Sequence, residues 1–196
     1  MLKLHQKVVF LDRDGVINQD SPDYIKSWSE FHFLPGSLEA LRRLTQHGFR
    51  LFIITNQSVI NRQMISVETL EDIHDRMRAQ IRLHGGKIHD VFYCPHTPED
   101  HCACRKPRPG LLESIARHYG VSLAGVPAIG DSLRDLQAAA AVGARPILVR
   151  TGKGERTLTN PDLPPDIPIY PDLAAAVAAL LASDPVAEAH RENTAC

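Results

Sequence analysis

The sequence predicts an α/β fold, a three-layer doubly wound parallel sheet, from two periodicities that alternate along its length. Short, nearly continuous apolar runs of strand length, at residues 8–11, 50–55, 126–129 and 146–149, are separated by longer segments whose apolar residues recur at helical spacing. Runs apolar on both faces belong to strands covered by helices on either side, and parallel neighbours require helical crossovers. A third observation is that the chain's conspicuous polar clusters directly follow these runs. The 196 residues suit one domain, expected over residues 1–182, with a small insert at 94–107 and a disordered tail over 183–196.

The first strand, residues 8–11, delivers Asp12-Arg13-Asp14-Gly15 into a turn. A polar, aromatic-bearing loop over residues 18–33 follows, and Pro35-Gly36-Ser37 opens a helix at 38–44 that Gly48 closes. The second strand ends in Thr55-Asn56-Gln57-Ser58. Ser66 is an N-cap candidate for a helix carrying Leu70, Ile73, Met77 and Ile81 on one face towards Gly85-Gly86. A strand over 90–93, a cysteine-rich loop and a helix from near Pro109, with Leu111, Leu112, Ile115 and Ala116 inward, come next. A strand at 126–129, a helix over 133–142 and a strand at 146–149 continue the alternation. Residues 160–171, rich in proline, read as an irregular connection before a last helix at 173–181.

Composition excludes several classes of function. Hydrophobic content of 43%, charged content of 23% and a formal net charge of -1 give no global basic surface for nucleic acid. No run reaches the ~18 apolar residues of a membrane span and the N-terminal residues lack a signal-peptide core, so a cytoplasmic protein without a membrane partner is expected. No exposed apolar stripe declares an interface, and a monomer is expected. Four cysteines, three of them within residues 94–104, read in a reducing compartment as a metal site rather than disulfides.

In open parallel sheets, ligands bind where the loops at the carboxyl ends of the strands converge, and the polar clusters all fall there. Asp12 and Asp14 suit phosphoryl chemistry. A carboxylate beside a cation can attack phosphorus while its neighbour moves protons. Thr55 can donate to a phosphoryl oxygen, and Lys106 can neutralise charge in the transition state. Asp131, after the strand at 126–129, supplies a further carboxylate for Mg²⁺. Cys94, His96, Cys102 and Cys104 match the number and types of ligands in a closed tetrahedral Zn²⁺ site that would fix the loop presenting Arg105 and Lys106. A Cys102–Cys104 redox pair, unbound loop cysteines, and His101 in place of His96 are the alternatives. The remaining histidines, His5, His32, His47, His74, His84, His89, His118 and His190, read as solvated or capping. Tyr24 and Trp28 are candidates either for stacking on a sugar ring or for anchoring their loop.

Asp12-Arg13-Asp14-Gly15, Thr55, Lys106 and Gly130-Asp131 with Asp135 resemble, in order, the four motifs of the haloacid dehalogenase superfamily of phosphatases, over about residues 7–150. The resemblance implies that Asp12 is the phosphoryl-accepting nucleophile and Asp14 the general acid/base, with Asp14 lending its backbone carbonyl to Mg²⁺. Asp131 would complete the metal site. Asp135 would act from behind it by holding a metal-bound water, bonding Lys106 or favouring the helix dipole. Cys94-Pro95-His96 with Cys102-Ala103-Cys104-Arg105-Lys106-Pro107 narrows the resemblance to the D-glycero-D-manno-heptose 1,7-bisphosphate phosphatases, whose nearest relatives are histidinol-phosphate phosphatases. That implies Mg²⁺ catalysis, structural Zn²⁺, no large cap domain, and removal of the C7 phosphate in the ADP-heptose route to lipopolysaccharide core. Asp20, Tyr24, Thr55, Asn56, Gln57, Ser58, Arg105, Lys106 and Ser132 would contact the phosphorylated sugar, Arg105 at its distal end.

The chain departs from the family pattern at four positions. Val16 replaces a threonine, Val59 and Gln63 replace glycines, and Ser132 stands where heptose bisphosphatases often carry lysine. Histidinol-phosphate phosphatase is the nearest alternative activity, a polynucleotide 3'-phosphatase is disfavoured by the charge, and a non-catalytic zinc-stabilised binding module would not need Asp12, Asp14, Lys106 and Asp131 together.

Overall fold

The computed structural model describes residues 7–183. Six strands form one parallel sheet: β1 (Val8–Leu11), β2 (Arg50–Asn56), β3 (Ile88–Cys94), β4 (Pro127–Gly130), β5 (Arg145–Val149) and β6 (Ile169–Tyr170), ordered β3-β2-β1-β4-β5-β6. Six helices connect and cover them: α1 (Ser37–Gln46), α2 (Val67–Leu83), α3 (Gly110–Tyr119), α4 (Leu133–Ala140), α5 (Gly154–Leu158) and α6 (Leu173–Ala182). The expected fold class is present as an α/β Rossmannoid sheet.

Strand alternation divides the core. Val9, Leu11, Leu51 and Ile53 pack with α1, α2 and α6, whereas Val8, Phe10, Phe52 and Ile54 pack with α3 and α4. Both sides of β1 and β2 are therefore covered, which is why their sequences read as unbroken apolar runs. Ser66 caps α2 by accepting from the Thr69 N–H, as its position predicts, and Asp172 caps α6 by accepting from Ala175.

Two short elements depart from expectation. The connection read as irregular over 160–171 contains β6, which pairs Ile169 with Leu148 and Tyr170 with Val149. The five-residue α5 was not anticipated either. Neither is long enough to show a period, and both are held by neighbours distant in sequence. The helix expected to reach Val142 ends at Ala140. The expected disordered tail lies, apart from Ser183, outside the described residues, as do His5, His190 and Cys196. No helix among the described residues is long and apolar enough to cross a membrane.

Candidate active site

The sheet reverses its winding between β1 and β4, whose carboxyl ends lie side by side, and the Asp12 N–H donates to Ile129 O at 3.0 Å. Side-chain oxygens of Asp12, Asp131 and Asp135 consequently lie within 4.8 Å of one another, all buried. Glycines permit this approach. A Cβ on Gly15 (φ +83°) or Gly152 (φ +58°) would overlap the Asp131 carboxylate. The loop after β5 and α5 then holds Asp131. The Lys153 N–H donates to its Oδ2 at 2.7 Å, and the Thr157 hydroxyl to its backbone carbonyl at 2.8 Å.

Three buried carboxylates repel one another and lack solvent. Burial first, then Asp135 and Asp12, push the Asp131 carboxyl up to about 8. Burial likewise raises Asp12 to about 6, although Lys106 draws it down. Lys106, only 3% exposed, forms ion pairs with Asp12 Oδ1 at 2.9 Å and Asp135 Oδ1 at 2.7 Å and donates to Ile54 O at 2.7 Å. One ammonium against three clustered carboxylates leaves a donor set suited to a hard divalent cation. Asp135 thus pairs by charge with Lys106, and its other oxygen accepts from the Ser132 N–H and hydroxyl at the start of α4.

Asp14 points elsewhere. Its Oδ1 accepts from Arg13 Nη2 at 2.9 Å and Asn18 Nδ2 at 2.9 Å, and its Oδ2 from Gln57 Nε2 at 2.9 Å. Burial alone would raise its carboxyl, but the Arg13 charge and these bonds hold it below its ordinary value. Gln57 also donates to Thr55 Oγ1 at 2.8 Å, leaving the threonine proton free to point into the cavity.

A cavity of about 220 Å³ opens over these groups, lined by Asp12, Asp14, Asp20, Tyr24, Thr55, Asn56, Gln57, Ser58 and Arg105 among those expected. Lys106 lies beneath it and Ser132 outside it. The Ser132 hydroxyl donates to Asp135 Oδ2 in the capping box of α4. Asn56 is largely engaged in a reciprocal pair with the Lys106 backbone at 3.1 Å. Trp28 is an anchor, stacked on Phe31 at 5.1 Å, whereas Tyr24 faces the cavity with the Arg62 guanidinium 5.9 Å from its ring centre.

Four residues that sequence reasoning missed belong to the site: Arg13, His74, Arg134 and Lys153. His74, expected to be solvated or capping, is 5% exposed, with Nε2 3.0 Å from Arg13 Nη1. By contrast, His47 and His84 do serve as caps, their Nδ1 atoms 2.8 Å from Arg43 O and Gln80 O. Arg134 lines the cavity, and its buried Nε has no hydrogen-bond partner among the described residues. Lys153 pairs with Asp20 at 2.6 Å across the cavity rim. Lys153 was discoverable, because Gly152-Lys153-Gly154 follows an apolar strand at the end where the other clusters gather.

Beyond β3, the Sγ atoms of Cys94, Cys102 and Cys104 and the His96 Nδ1 gather, with sulfur–sulfur separations of 3.1, 3.4 and 3.6 Å. His96 Nδ1 lies 3.5 Å from Cys94 Sγ and 3.3 Å from Cys104 Sγ. These cysteines are free, and burial with neighbouring thiols pushes the Cys94 thiol up. Two sulfurs of a tetrahedral Zn²⁺ site lie roughly 3.8 Å apart, so the cluster has the size and donor set of a metal site. His101 is outside it.

Residues 103–176 match the HAD-hydrolase-like family and residues 7–127 the polynucleotide kinase 3 phosphatase family. The chain is 51% identical over 175 residues to the D-glycero-beta-D-manno-heptose-1,7-bisphosphate 7-phosphatase of Bordetella bronchiseptica, covering 89% of this chain and 98% of that protein. It is 49% identical over 178 residues to the enzyme of the same name from Pseudomonas aeruginosa, covering 91% and 99%. The crystal structure of the D,D-heptose 1,7-bisphosphate phosphatase from B. bronchiseptica, complexed with magnesium and phosphate, superposes with a TM-score of 0.88 at 50% identity, covering 91% of this chain and 99% of that one. With the switch-point carboxylates, the buried lysine and near-complete coverage in agreement, the chain belongs to the haloacid dehalogenase-like phosphatases that these models describe, within the heptose-1,7-bisphosphate 7-phosphatase family.

Proposed function

We propose that this chain hydrolyses the C7 phosphate of D-glycero-D-manno-heptose 1,7-bisphosphate in a Mg²⁺-dependent reaction, supplying the ADP-heptose route to lipopolysaccharide core. The observation that carries the substrate reading is the cavity's arrangement of charge. Its floor holds the Asp12 group and Thr55, and its wall carries Arg105 and Arg134. Burial first, and then Arg134, lowers the Arg105 pKa, as befits two neighbouring guanidiniums in need of an anion. The distal phosphate of a bisphosphate would meet Arg105 and Arg134, while the phosphate to be removed would face Thr55 and the Mg²⁺ that the carboxylates would hold, and Arg134 supplies charge that Ser132 does not.

In this reading an Asp12 carboxylate oxygen attacks the C7 phosphorus as the phosphorus–oxygen bond to the sugar breaks. Asp14, ionised in the free site, would take up a proton from the arriving phosphate monoester and give it to the departing sugar oxygen. Water then attacks the aspartyl phosphate, Asp14 recovers a proton from it, and phosphate leaves with the Asp12 carboxylate restored. Mg²⁺ at Asp12, Asp131 and the Asp14 carbonyl would neutralise phosphoryl charge. Lys106 steadies Asp12, and Thr55 donates to a phosphoryl oxygen. A structural Zn²⁺ on Cys94, His96, Cys102 and Cys104 would stiffen the segment leading into Arg105, whose Nη1 already donates to His96 O at 2.8 Å. We further propose an open site without a large cap, in a cytoplasmic monomer. The connections after β1, β2 and β3, residues 12–36, 57–66 and 95–109, are each too small to bury a core of their own, which supports the first, and the separate placement of Met64, Val67, Leu83 and Ile169, the exposed large apolar side chains among the described residues, supports the last.

Histidinol phosphate would bring an amine, and Asp20, the acidic residue on the cavity wall away from the catalytic pair, is already paired with Lys153. A polynucleotide would find no basic stripe on a chain of net charge -1. The test is phosphate release with Mg²⁺ from heptose 1,7-bisphosphate and from histidinol phosphate, with Asp12→Asn as the blank. A strong preference for the heptose is expected, with no turnover in Asp12→Asn. Preference for histidinol phosphate, or release from neither, overturns the substrate reading. Turnover by Asp12→Asn overturns the nucleophile. Elemental analysis should find about one zinc per folded chain.

A further inference from the structure

The acid/base carboxylate is gripped by an arginine, and that arginine is gripped by a histidine from another layer of the fold. Arg13 is 1% exposed and sits between Asp12 and Asp14 in sequence. Its Nη2 donates to Asp14 Oδ1 at 2.9 Å and to Gln57 Oε1 at 3.2 Å, its Nε lies 3.3 Å from Asp14 Oδ1, and its Nη1 lies 3.0 Å from His74 Nε2. The guanidinium also lies 5.9 Å from the Phe31 ring centre. An arginine carries donors only, so the His74 contact has one sense: the ring accepts through Nε2, and the imidazole is neutral with its proton on Nδ1. Burial, with Arg13 adding repulsion, depresses His74 to about 3, which keeps the ring an acceptor at any working pH.

The position of His74 on α2 gives the contact its leverage. Leu70, Ile73, Met77 and Ile81 bury the inner face of the helix, which fixes the imidazole relative to the sheet. Removing the acceptor would leave a charged N–H buried without a partner, and the guanidinium would have to rotate to find one. Rotation would pull Nη2 and Nε from Asp14 and loosen Gln57, which bridges Asp14 to Thr55.

We propose that His74 is a positioning residue for the phosphatase reaction, a fixed neutral acceptor that orients Arg13 so that Arg13, Gln57 and Asn18 hold Asp14 at the angle proton transfer requires. The inference rests on the reading of Asp14 as general acid/base. It concerns proton transfer to the leaving oxygen, not substrate binding, so its effect belongs in kcat rather than KM.

The test compares His74→Gln, which can still present an acceptor, with His74→Leu, which cannot, each alone and with Arg13→Met. His74→Leu should lower kcat by roughly 10–100-fold with KM changed less than about twofold, while His74→Gln should recover most of kcat. In the Arg13→Met background His74→Leu should produce no further loss, because its effect passes through Arg13. Equal damage from both His74 variants, an effect confined to KM, or losses that multiply with Arg13→Met would overturn the proposal. ¹⁵N NMR of the Arg13 guanidinium supplies a readout without turnover. Slowly exchanging Nη–H signals should be present in the wild-type protein and His74→Gln, and lost in His74→Leu; their persistence in His74→Leu refutes the orienting role. If the wild-type protein ignores heptose bisphosphate but hydrolyses another phosphomonoester, only the substrate reading fails, and the same comparison is run on that substrate.

Discussion

Asp12 and Asp131 show how one residue type takes different character from its surroundings. In solution each carboxyl would lose its proton near 3.8, yet burial and mutual repulsion raise them to about 6 and about 8. The metal-free folded chain therefore holds protons that the unfolded chain has released. The stability this contributes is complete below 3.8 and disappears as pH rises through the two folded values. A divalent cation favours the ionised carboxylates, so its stabilising effect grows over the same window. In zinc-replete buffer, saturating Mg²⁺ should raise the thermal midpoint more at about pH 8.5 than at about pH 5. An equal rise at both would show that these carboxylates do not carry the coupling. The departures from the family pattern also resolve residue by residue. Val16 and Val59 are fully buried apolar side chains, and Gln63 adopts φ +55°, the left-handed conformation that the family's glycine accommodates.

Among the elements, α6 illustrates a helix determined by composition at its centre and by one side chain at its start. Its alanines and leucines favour helix all round, and Asp172 defines its first residue by accepting from the Ala175 N–H at 2.8 Å. Asp172→Ala should destabilise the protein by about 1 kcal/mol in urea unfolding and leave kcat unchanged, since no residue of α6 lines the cavity. Elements with a long period were legible. The apolar positions of α2 and the β1 and β2 runs identify themselves because burial on one face or two leaves a repeating mark. β6 and α5 left none. Two strand residues and five helical ones cannot display a period, and α5 works through Lys153 at its N-cap and Thr157 within it, both of which hold Asp131.

Over the whole molecule, the site depends on the close approach of three loops, the first of them more than a hundred residues from the other two. Gly15, Asp131 and Gly152 meet at the switch point, and the Thr151 hydroxyl donates to Gly15 O at 2.6 Å. Gly152→Ala would drive a methyl into both the Asp131 carboxylate and the Gly15 backbone. A loss of about 1–3 kcal/mol of stability is expected, with weaker Mg²⁺ activation of phosphate release. An unaltered Mg²⁺ dependence would show that this packing does not shape the cation site. The parallel α/β architecture, the carboxylates at its strand ends and the Cys/His cluster are legible from the residues alone, because each is written in local periodicity or in close spacing. That Ser132 turns to Asp135, that Arg134 and Lys153 enter the cavity, and that His74 reaches Arg13 emerge only once the chain is folded. Those contacts join side chains remote in sequence or choose among rotamers, and both are settled by packing that no local pattern records.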